Sequence, residues 1–245
     1  MISKNQIKFL KSLHKSKYRK LENKFLVEGV KVVDEFIDSS FNISAIYATE
    51  QWVAANSNVH KNIHQVSNKE LQSISLLKTP NQVVAVVESL AESDIAFQNN
   101  DLILALDTIQ DPGNLGTIIR IADWFGINKI LCSRDTADAF NPKVIQATMG
   151  AITRVKIQYV DLDIWLKELP LQVNIYGTML NGDNMYQTEL SKSGIIVVGN
   201  EGNGISEKVQ SLLTHRIKIP AYGNSQMESL NVAIATSLVC AEFRR

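Results

Sequence analysis

Short apolar runs alternate with amphipathic stretches over the second half of this chain. Runs typical of buried strands lie at 102–106, 129–133, 155–160, 172–178, 195–199 and 216–219, and stretches with helical periodicity lie near 114–125, 142–150, 161–169, 206–213 and 230–243. In the first predicted helix, apolar residues share one face: Leu115, Ile118, Ile119, Ala122 and Phe125. This alternation predicts an α/β fold, with a mainly parallel sheet and helices on both faces.

Residues 1–90 predict a separate, small α/β domain. Ile7, Leu10 and Leu13 have helical spacing, and further elements are predicted as strands at 25–29, 43–48 and 83–88 and helices at 30–37 and 70–76. Residues 91–100 are polar and lack a clear period, which is typical of a linker. We therefore predict a domain at 1–90, a linker at 91–100 and a second domain at 101–245.

Three loops of unusual composition follow three of the predicted strands. They occupy residues 107–114, 199–206 and 220–231, and each is rich in glycine, asparagine or other polar residues where a short turn would serve. In an open parallel sheet, ligands bind beyond the C-terminal ends of the strands. The three loops therefore predict a binding site at that edge of the sheet.

The second loop carries Gly199, Gly202 and Gly204, which allow the backbone to approach a ligand closely. Gly199 and Gly204 have the spacing of a phosphate-binding loop, but Ile205 stands where that loop needs lysine. The order Gly-x-x-Gly-x-Gly also differs from the dinucleotide-binding Gly-x-Gly-x-x-Gly, which argues against a nicotinamide enzyme. A tight turn without a ligand would explain any one glycine, but it does not explain Glu201 among them.

The third loop places Ser229 and Asn231 just before the last predicted helix. Both residue types are good helix N-caps, but capping needs only one of them. Two polar side chains beside free backbone N–H groups also suit an anion or a carboxylate-bearing ligand. At this level both interpretations, a cap and a ligand site, stay open.

The charge along the chain is uneven although the formal net charge is zero. Residues 1–24 have a net charge of +7, since Glu22 is the only carboxylate among eight cations: Lys4, Lys8, Lys11, Lys15, Lys17, Arg19, Lys20 and Lys24. A local basic patch favours contact with a polyanion such as RNA. The alternative is a solvated helix face without a partner.

The remaining composition narrows the class of protein. A chain of 245 residues with 45% hydrophobic content suits one large or two modest domains. Cys132 and Cys240 are isolated, so we expect core residues in a reducing compartment. Histidines 14, 60, 64 and 215 form no convincing ligand set, so we expect no metal. No apolar run approaches the roughly 20 residues of a membrane span, and we expect a cytoplasmic protein.

The polar loops resemble the three signature motifs of a known family. Residues 114–120, residues 199–204, and the stretch from Ile219-Pro220 to Ser229-Leu230-Asn231 are similar to the motifs of SpoU-type RNA ribose 2′-O-methyltransferases of the SPOUT superfamily. The resemblance covers about 102–243 and implies a deep trefoil knot, S-adenosylmethionine as cofactor and a homodimer. Residues 25–36 resemble the small N-terminal RNA-binding domain of many such enzymes.

The resemblance also implies roles for individual residues. Catalytic roles fall on Asn114, Arg120, Glu201, Ser229 and Asn231, and cofactor contacts on Thr178, Met179, Gly199, Gly202, Ile219 and Leu230. Arg120 would hold the target phosphate and activate the ribose hydroxyl. A guanidinium stays protonated, so electrostatic stabilisation of a developing alkoxide suits it better than proton abstraction. Glu201 would either order the loops or position Arg120.

We predict S-adenosylmethionine-dependent 2′-O-methylation of RNA, with ribosomal RNA favoured over transfer RNA because of the N-terminal domain. The alternatives are a transfer RNA ribose methyltransferase, a base methyltransferase and a non-catalytic RNA-binding protein on the same scaffold. The intact set of polar motif residues argues against the last of these, since a binder would not need them.

Overall fold

The computed structural model describes residues 2–56, 58–89, 94–224 and 226–245. Its helices are α1 (Lys4–Ser12), α2 (Ser16–Glu22), α3 (Val30–Ile37), α4 (Glu50–Ala55), α5 (Asn68–Ile74), α6 (Pro112–Trp124), α7 (Pro142–Thr148), α8 (Leu162–Lys167), α9 (Glu207–Gln210) and α10 (Val232–Phe243). Its strands are β1 (Lys24–Glu28), β2 (Ile43–Ala48), β3 (Ile63–Gln65), β4 (Val83–Glu88), β5 (Leu102–Leu106), β6 (Lys129–Ser133), β7 (Lys156–Val160), β8 (Ile175–Asn184), β9 (Gly194–Val198) and β10 (His215–Lys218).

The chain forms two compact units. One comprises Met1–Ala91 with Asp138–Thr153, and the other comprises Glu92–Ala137 with Arg154–Arg245. The division near residue 91 lies at the start of the predicted linker. The two units differ from the predicted domains in the segment 138–153. The prediction placed this segment in the second domain, whereas in the structure it packs with the first unit.

The first unit contains a four-stranded sheet of order β1-β4-β2-β3, in which only the β2–β3 pair is parallel. The basic segment helps to build its core, because Leu10 and Leu13 of the opening segment are fully buried. The lysines of α1 are exposed, which is the division of faces expected of an amphipathic helix.

Arg19 explains why the 138–153 segment packs with the first unit. Its side chain is only 4% exposed and donates to the carboxylate of Asp138 at 2.6 Å. It also donates to the carbonyl oxygens of Leu13 and His14 at 3.0 and 2.9 Å. Because a buried guanidinium needs such partners, Arg19 ties Asp138 to α2. Next to this ion pair, Phe140 stacks on Phe25 with ring centroids 4.5 Å apart.

Glu70 makes the stability of the first unit sensitive to acid. The pKa of its carboxyl is lowered from 4.5 to about 2, first by the hydrogen bond from the Ser67 backbone and then by that from the Ile2 backbone. A lowered pKa means that the carboxylate stabilises the fold above about pH 4.5 and that this stability is lost as the pH falls toward 2. We expect Glu70→Gln to weaken the pH dependence of the unfolding free energy in this window, as measured by urea denaturation. An unchanged pH profile would contradict this role.

The second unit contains a six-stranded sheet of order β10-β8-β9-β5-β6-β7, in which all neighbouring pairs are parallel. The predicted α/β architecture with a parallel sheet flanked by helices is confirmed. Strands β5 and β9 lie side by side in the middle of this sheet, so the loops that follow them emerge at the same edge. No helix in the described part of the chain is long and apolar enough to cross a membrane.

Two predicted elements of this unit differ from those in the structure. Strand β8 runs to Asn184, whereas the apolar run predicted an end at 178. The register of β10 on β8 jumps from Gly177 to Asp183, so residues 178–182 form a bulge. Helix α9 has only four residues, whereas a helix over 206–213 was predicted.

Candidate active site

The three polar loops follow β5, β9 and β10, and two of them lead into helices with side-chain caps. Asp111 caps α6 by accepting from the backbone N–H of Asn114 at 2.8 Å. Asn231 caps α10 by accepting from the N–H groups of Ala233 and Ile234 at 3.0 and 3.3 Å. Ser229 lies two residues before this cap in an exposed segment. The capping interpretation therefore applies to Asn231.

A chain of side-chain hydrogen bonds joins the three loops. The Asn114 amide nitrogen donates to the carboxylate of Glu201, and the Asn231 amide nitrogen donates to the Asn114 carbonyl oxygen at 3.0 Å. A carboxylate only accepts, so it determines the orientation of the Asn114 amide, and that amide in turn determines the orientation of Asn231. The Asn231 oxygen remains directed at the N-terminus of α10. The chain Glu201–Asn114–Asn231 thus brings together one predicted residue from each motif.

Arg120 lies on α6, six residues after Asn114 and about 120° around the helix axis from it. Its side chain is exposed and, in the residues that the structure describes, its guanidinium has no hydrogen-bond or ion-pair partner. Of the two roles predicted for Glu201, the contacts therefore match the ordering of the loops, because Glu201 bonds to Asn114 and not to Arg120. The guanidinium of Arg120 is free to bind an anion.

The predicted cofactor residues lie in the bulge of β8 and in the loops that follow β9 and β10. Thr178 donates its hydroxyl to the carbonyl of Val197 at 3.1 Å, which places the start of the β8 bulge beside the end of β9. Met179, next in the bulge, packs on the core of the unit. Beyond β10, Ile219 is half-buried and Leu230 is exposed.

The first comparison with known proteins decides the family. A family model described as the SpoU rRNA methylase family matches residues 101–241, more than half of the chain. This chain belongs to the SpoU rRNA methylase family. A second model, the MRM3-like substrate binding domain, matches residues 4–85. The resemblance of the motifs to the SpoU signature is thereby confirmed.

Individual SpoU relatives resemble the chain over nearly its full length. It is 32% identical to the 23S rRNA (guanosine(2553)-2′-O)-methyltransferase RlmP of Bacillus subtilis, over 99% of this chain and 97% of that protein. A TrmH-family structure from Porphyromonas gingivalis has a TM-score of 0.90 at 40% identity and covers 100% of this chain and 98% of its own. An AdoMet-bound rRNA methyltransferase from Sinorhizobium meliloti has a TM-score of 0.87 at 29% identity, with 100% and 96% covered.

The glycines of this SpoU domain differ in how much space a side chain would have at each position. A Cβ on Gly199 would lie 2.3 Å from the backbone carbon of Gly204, whereas a Cβ on Gly202 would meet only the Asn200 side chain at an ordinary 3.5 Å. Gly204 has a φ of +69°, which glycine adopts without strain. The backbones at 199 and 204 therefore pack directly against each other, whereas a side chain at position 202 would have room.

We expect Gly199→Ala to destabilise the protein by at least about 2 kcal/mol, because backbone atoms must move to make room for the methyl group. Gly202→Ala is the matched control and should unfold at nearly the wild-type temperature, so any effect of it should appear in cofactor affinity. Thermal unfolding of both variants measures the difference. Equal melting temperatures would contradict the direct packing of Gly199 on Gly204.

Two side chains that organise the loops, Asp107 and Asn200, were not among the residues predicted from the sequence. Asp107 is buried at the end of β5 and Asn200 directly follows Gly199. Their positions beside the predicted strand ends could have indicated a role in the loops. Asparagine and aspartate are common in turns, however, so their residue types did not distinguish them.

Neither cysteine belongs to the site. Cys132 and Cys240 are buried, as predicted for core residues, and burial raises the pKa of both thiols, that of Cys240 to about 12. Both therefore stay protonated at neutral pH. Across the described ranges, no group of three or more His, Cys, Asp or Glu side chains could hold a metal ion.

Proposed function

We propose that this protein transfers a methyl group from S-adenosylmethionine to a ribose 2′-hydroxyl of RNA, and that the RNA is ribosomal. The observation that carries the proposal is the hydrogen-bond chain Glu201–Asn114–Asn231 at the C-terminal edge of the sheet, with the exposed Arg120 on the same helix as Asn114. The names of the Bacillus subtilis and Sinorhizobium meliloti relatives support the reaction and the class of RNA.

The residues around the strand ends fit S-adenosylmethionine. The direct contact of Gly199 with Gly204 leaves no side chain at the end of β9, and the bulge beginning at Thr178 brings backbone to the same edge. Ile219 and Leu230 add apolar surface for the adenine. When bound, the cofactor supplies an electrophilic methyl group on a sulfonium. We assign its contacts to these residues, to Met179 and to the backbone of Gly202.

Arg120 and the hydrogen-bond chain have separate roles in this proposal. Arg120 binds the phosphate next to the target ribose and stabilises the negative charge that develops on the 2′-oxygen. Because a guanidinium does not release its proton at neutral pH, the hydroxyl proton leaves through phosphate or water. Glu201, Asn114 and Asn231 hold the three loops in one arrangement, and Ser229 belongs to the third loop, two residues before Asn231.

We further propose a homodimer. Exposed apolar side chains occupy one stripe of α10, where Ile234 is 56% and Leu238 37% exposed, and α10 packs on α6. Apolar side chains grouped on one surface are typical of protein interfaces. Sedimentation equilibrium should give twice the chain mass, and Ile234→Asp with Leu238→Asp should give monomers. A monomeric wild-type protein would contradict the proposal.

Three further features remain proposals. The small domain within residues 1–90 binds the RNA substrate, which the match of residues 4–85 to a substrate-binding model supports. Residues 101–245, apart from the 138–153 segment that packs with the first unit, form the methyltransferase domain with a deep trefoil knot, after a linker at 91–100. We also place its action in the cytoplasm.

The reaction can be tested with purified protein, labelled S-adenosylmethionine and RNA from cells that lack the gene. We expect label in ribosomal RNA, with the modified nucleotide resistant to alkaline cleavage because its 2′-oxygen is blocked. Label in transfer RNA would change the substrate class. Binding of RNA without affinity for the cofactor would favour a non-catalytic RNA-binding protein, and label on an alkali-sensitive nucleotide would indicate a base methyltransferase.

A further inference from the structure

Two side chains tie the loop after β9 to the end of β5. The Asp107 carboxylate, in a residue only 4% exposed, accepts from the backbone N–H of Ser206 at 2.8 Å and from the Thr108 hydroxyl at 3.2 Å. The Asn200 amide nitrogen donates to the Thr108 carbonyl at 2.9 Å. Residues 200 and 206 bracket the loop, so both of its ends are held to residues 107 and 108.

The loop is also closed on itself. The Asn200 side-chain oxygen accepts from the N–H groups of Gly202 and Asn203 at 2.9 and 3.1 Å. The backbones of Asn200 and Gly204 pair through two hydrogen bonds of 3.0 and 2.9 Å. Glu201 sits inside this closed turn, directly after Asn200, and its carboxylate bonds to Asn114. The position of Glu201 therefore depends on where Asn200 is held.

Thr108, the residue that receives Asn200, has an unusual backbone. Its φ is +62°, which is a genuine outlier for a β-branched residue. Three hydrogen bonds hold it there, since its N–H donates to the Ser133 hydroxyl at 2.8 Å, its carbonyl accepts from Asn200 and its hydroxyl donates to Asp107. Strained residues persist only where the surroundings over-determine them, and they cluster at functional sites.

We infer that Asp107 and Asn200 are positioning residues for methyl transfer, which act by holding Glu201 against Asn114. The inference rests on the proposed function. Glu201 is exposed and lies in a glycine-rich loop, so without these ties its carboxylate would sample many positions. With them, the end of β5 and the Glu201–Asn114 contact form one connected network, which also sets the position of α6 and its Arg120.

Variants at Asn200 separate positioning from simple loop stability. Asn200→Asp keeps the oxygen that accepts from Gly202 and Asn203 but removes the donor to Thr108, and Asn200→Ala removes both. We expect each to lower kcat about 10- to 100-fold, since a displacement of about 1 Å can cost that much. KM for RNA, cofactor affinity and melting temperature should stay near wild type. Asn203→Ala, in the same loop, is the control and should keep the wild-type kcat.

A double-mutant cycle tests whether Asn200 acts through Glu201. If it does, Asn200→Ala should cost nothing further in a Glu201→Ala background, because the acceptor that it positions is already lost. Full additivity, or a wild-type kcat in both Asn200 variants, would overturn the inference. If Asn200→Ala does not fold, Asn200→Asp and Asp107→Asn can each be combined with the Glu201 variant in the same cycle. A wild-type protein without transferase activity would overturn the proposed function, and with it this inference.

Discussion

Arg120→Ala should lower the rate of methyl transfer about 10²- to 10³-fold, the usual cost of removing one group that stabilises charge in a transition state. Affinity for S-adenosylmethionine should stay near wild type, because Arg120 lies on α6 and the proposed cofactor contacts lie in the β8 bulge and in the loops after β9 and β10. Folding should also be unaffected, because the exposed guanidinium has no partner in the described residues. Single-turnover kinetics and calorimetry measure the two quantities.

Two further variants make the Arg120 result specific. Arg120→Lys keeps the charge but loses the planar, two-pronged contact with phosphate, so its rate should fall between those of wild type and Arg120→Ala. Arg134→Ala removes an arginine that is also exposed and forms a long surface ion pair of 3.8 Å with Asp161, so it should not change the rate. Full activity in Arg120→Ala would remove this residue from the mechanism, and lost cofactor binding would assign it to the cofactor site.

Replacing Lys4, Lys8 and Lys11 by glutamine should weaken RNA binding without changing cofactor affinity. These lysines follow each other at helical spacing on the exposed face of α1, opposite the buried Leu10. Each phosphate contact contributes about −0.7 to the slope of log K against log salt for single strands, so losing three should make the slope shallower by about 2. The same argument gives a loss in affinity of up to about 100-fold at 0.1 M salt.

The structure also shows why substitution is better than deletion for this test. Removing residues 1–24 would remove Leu10, Leu13 and the buried Arg19 and so would disrupt the first unit itself. Glutamine at Lys156, Lys167 and Lys192 is the matched control, because these exposed lysines lie in the other unit, away from the C-terminal edge of its sheet. An unchanged salt slope in the α1 variant would mean that its lysines form only a solvated face.

Local patterns determined most of the helices and strands of this protein. The helix over 30–37 and the strands over 43–48, 83–88, 102–106 and 129–133 have the predicted bounds, since each is a short run whose burial follows its own periodicity. The short elements α4 and β3 were missed. Strand β3 has only three residues, too few for a period, and is held as a strand by pairing with β2. The last four residues of β8, 181–184, have no apolar side chain. This part of the strand is likewise maintained by a tertiary contact, the close approach of Gly182 to the backbone of β10.

The sequence by itself also determined which loops we propose as the site and which residue types they carry, because glycine, asparagine and glutamate at strand ends are local signals. Only the tertiary structure decided which of these side chains meet. Glu201 bonds to Asn114 across 87 residues, Asn231 to Asn114 across 117, and Arg19 to Asp138 across 119. Such pairs depend on strand order and on the orientation of each side chain, and neither is encoded in the spacing of neighbours along the chain. The positive φ of Thr108 has the same origin, since hydrogen bonds to the distant residues Ser133 and Asn200 hold a backbone that threonine alone would avoid.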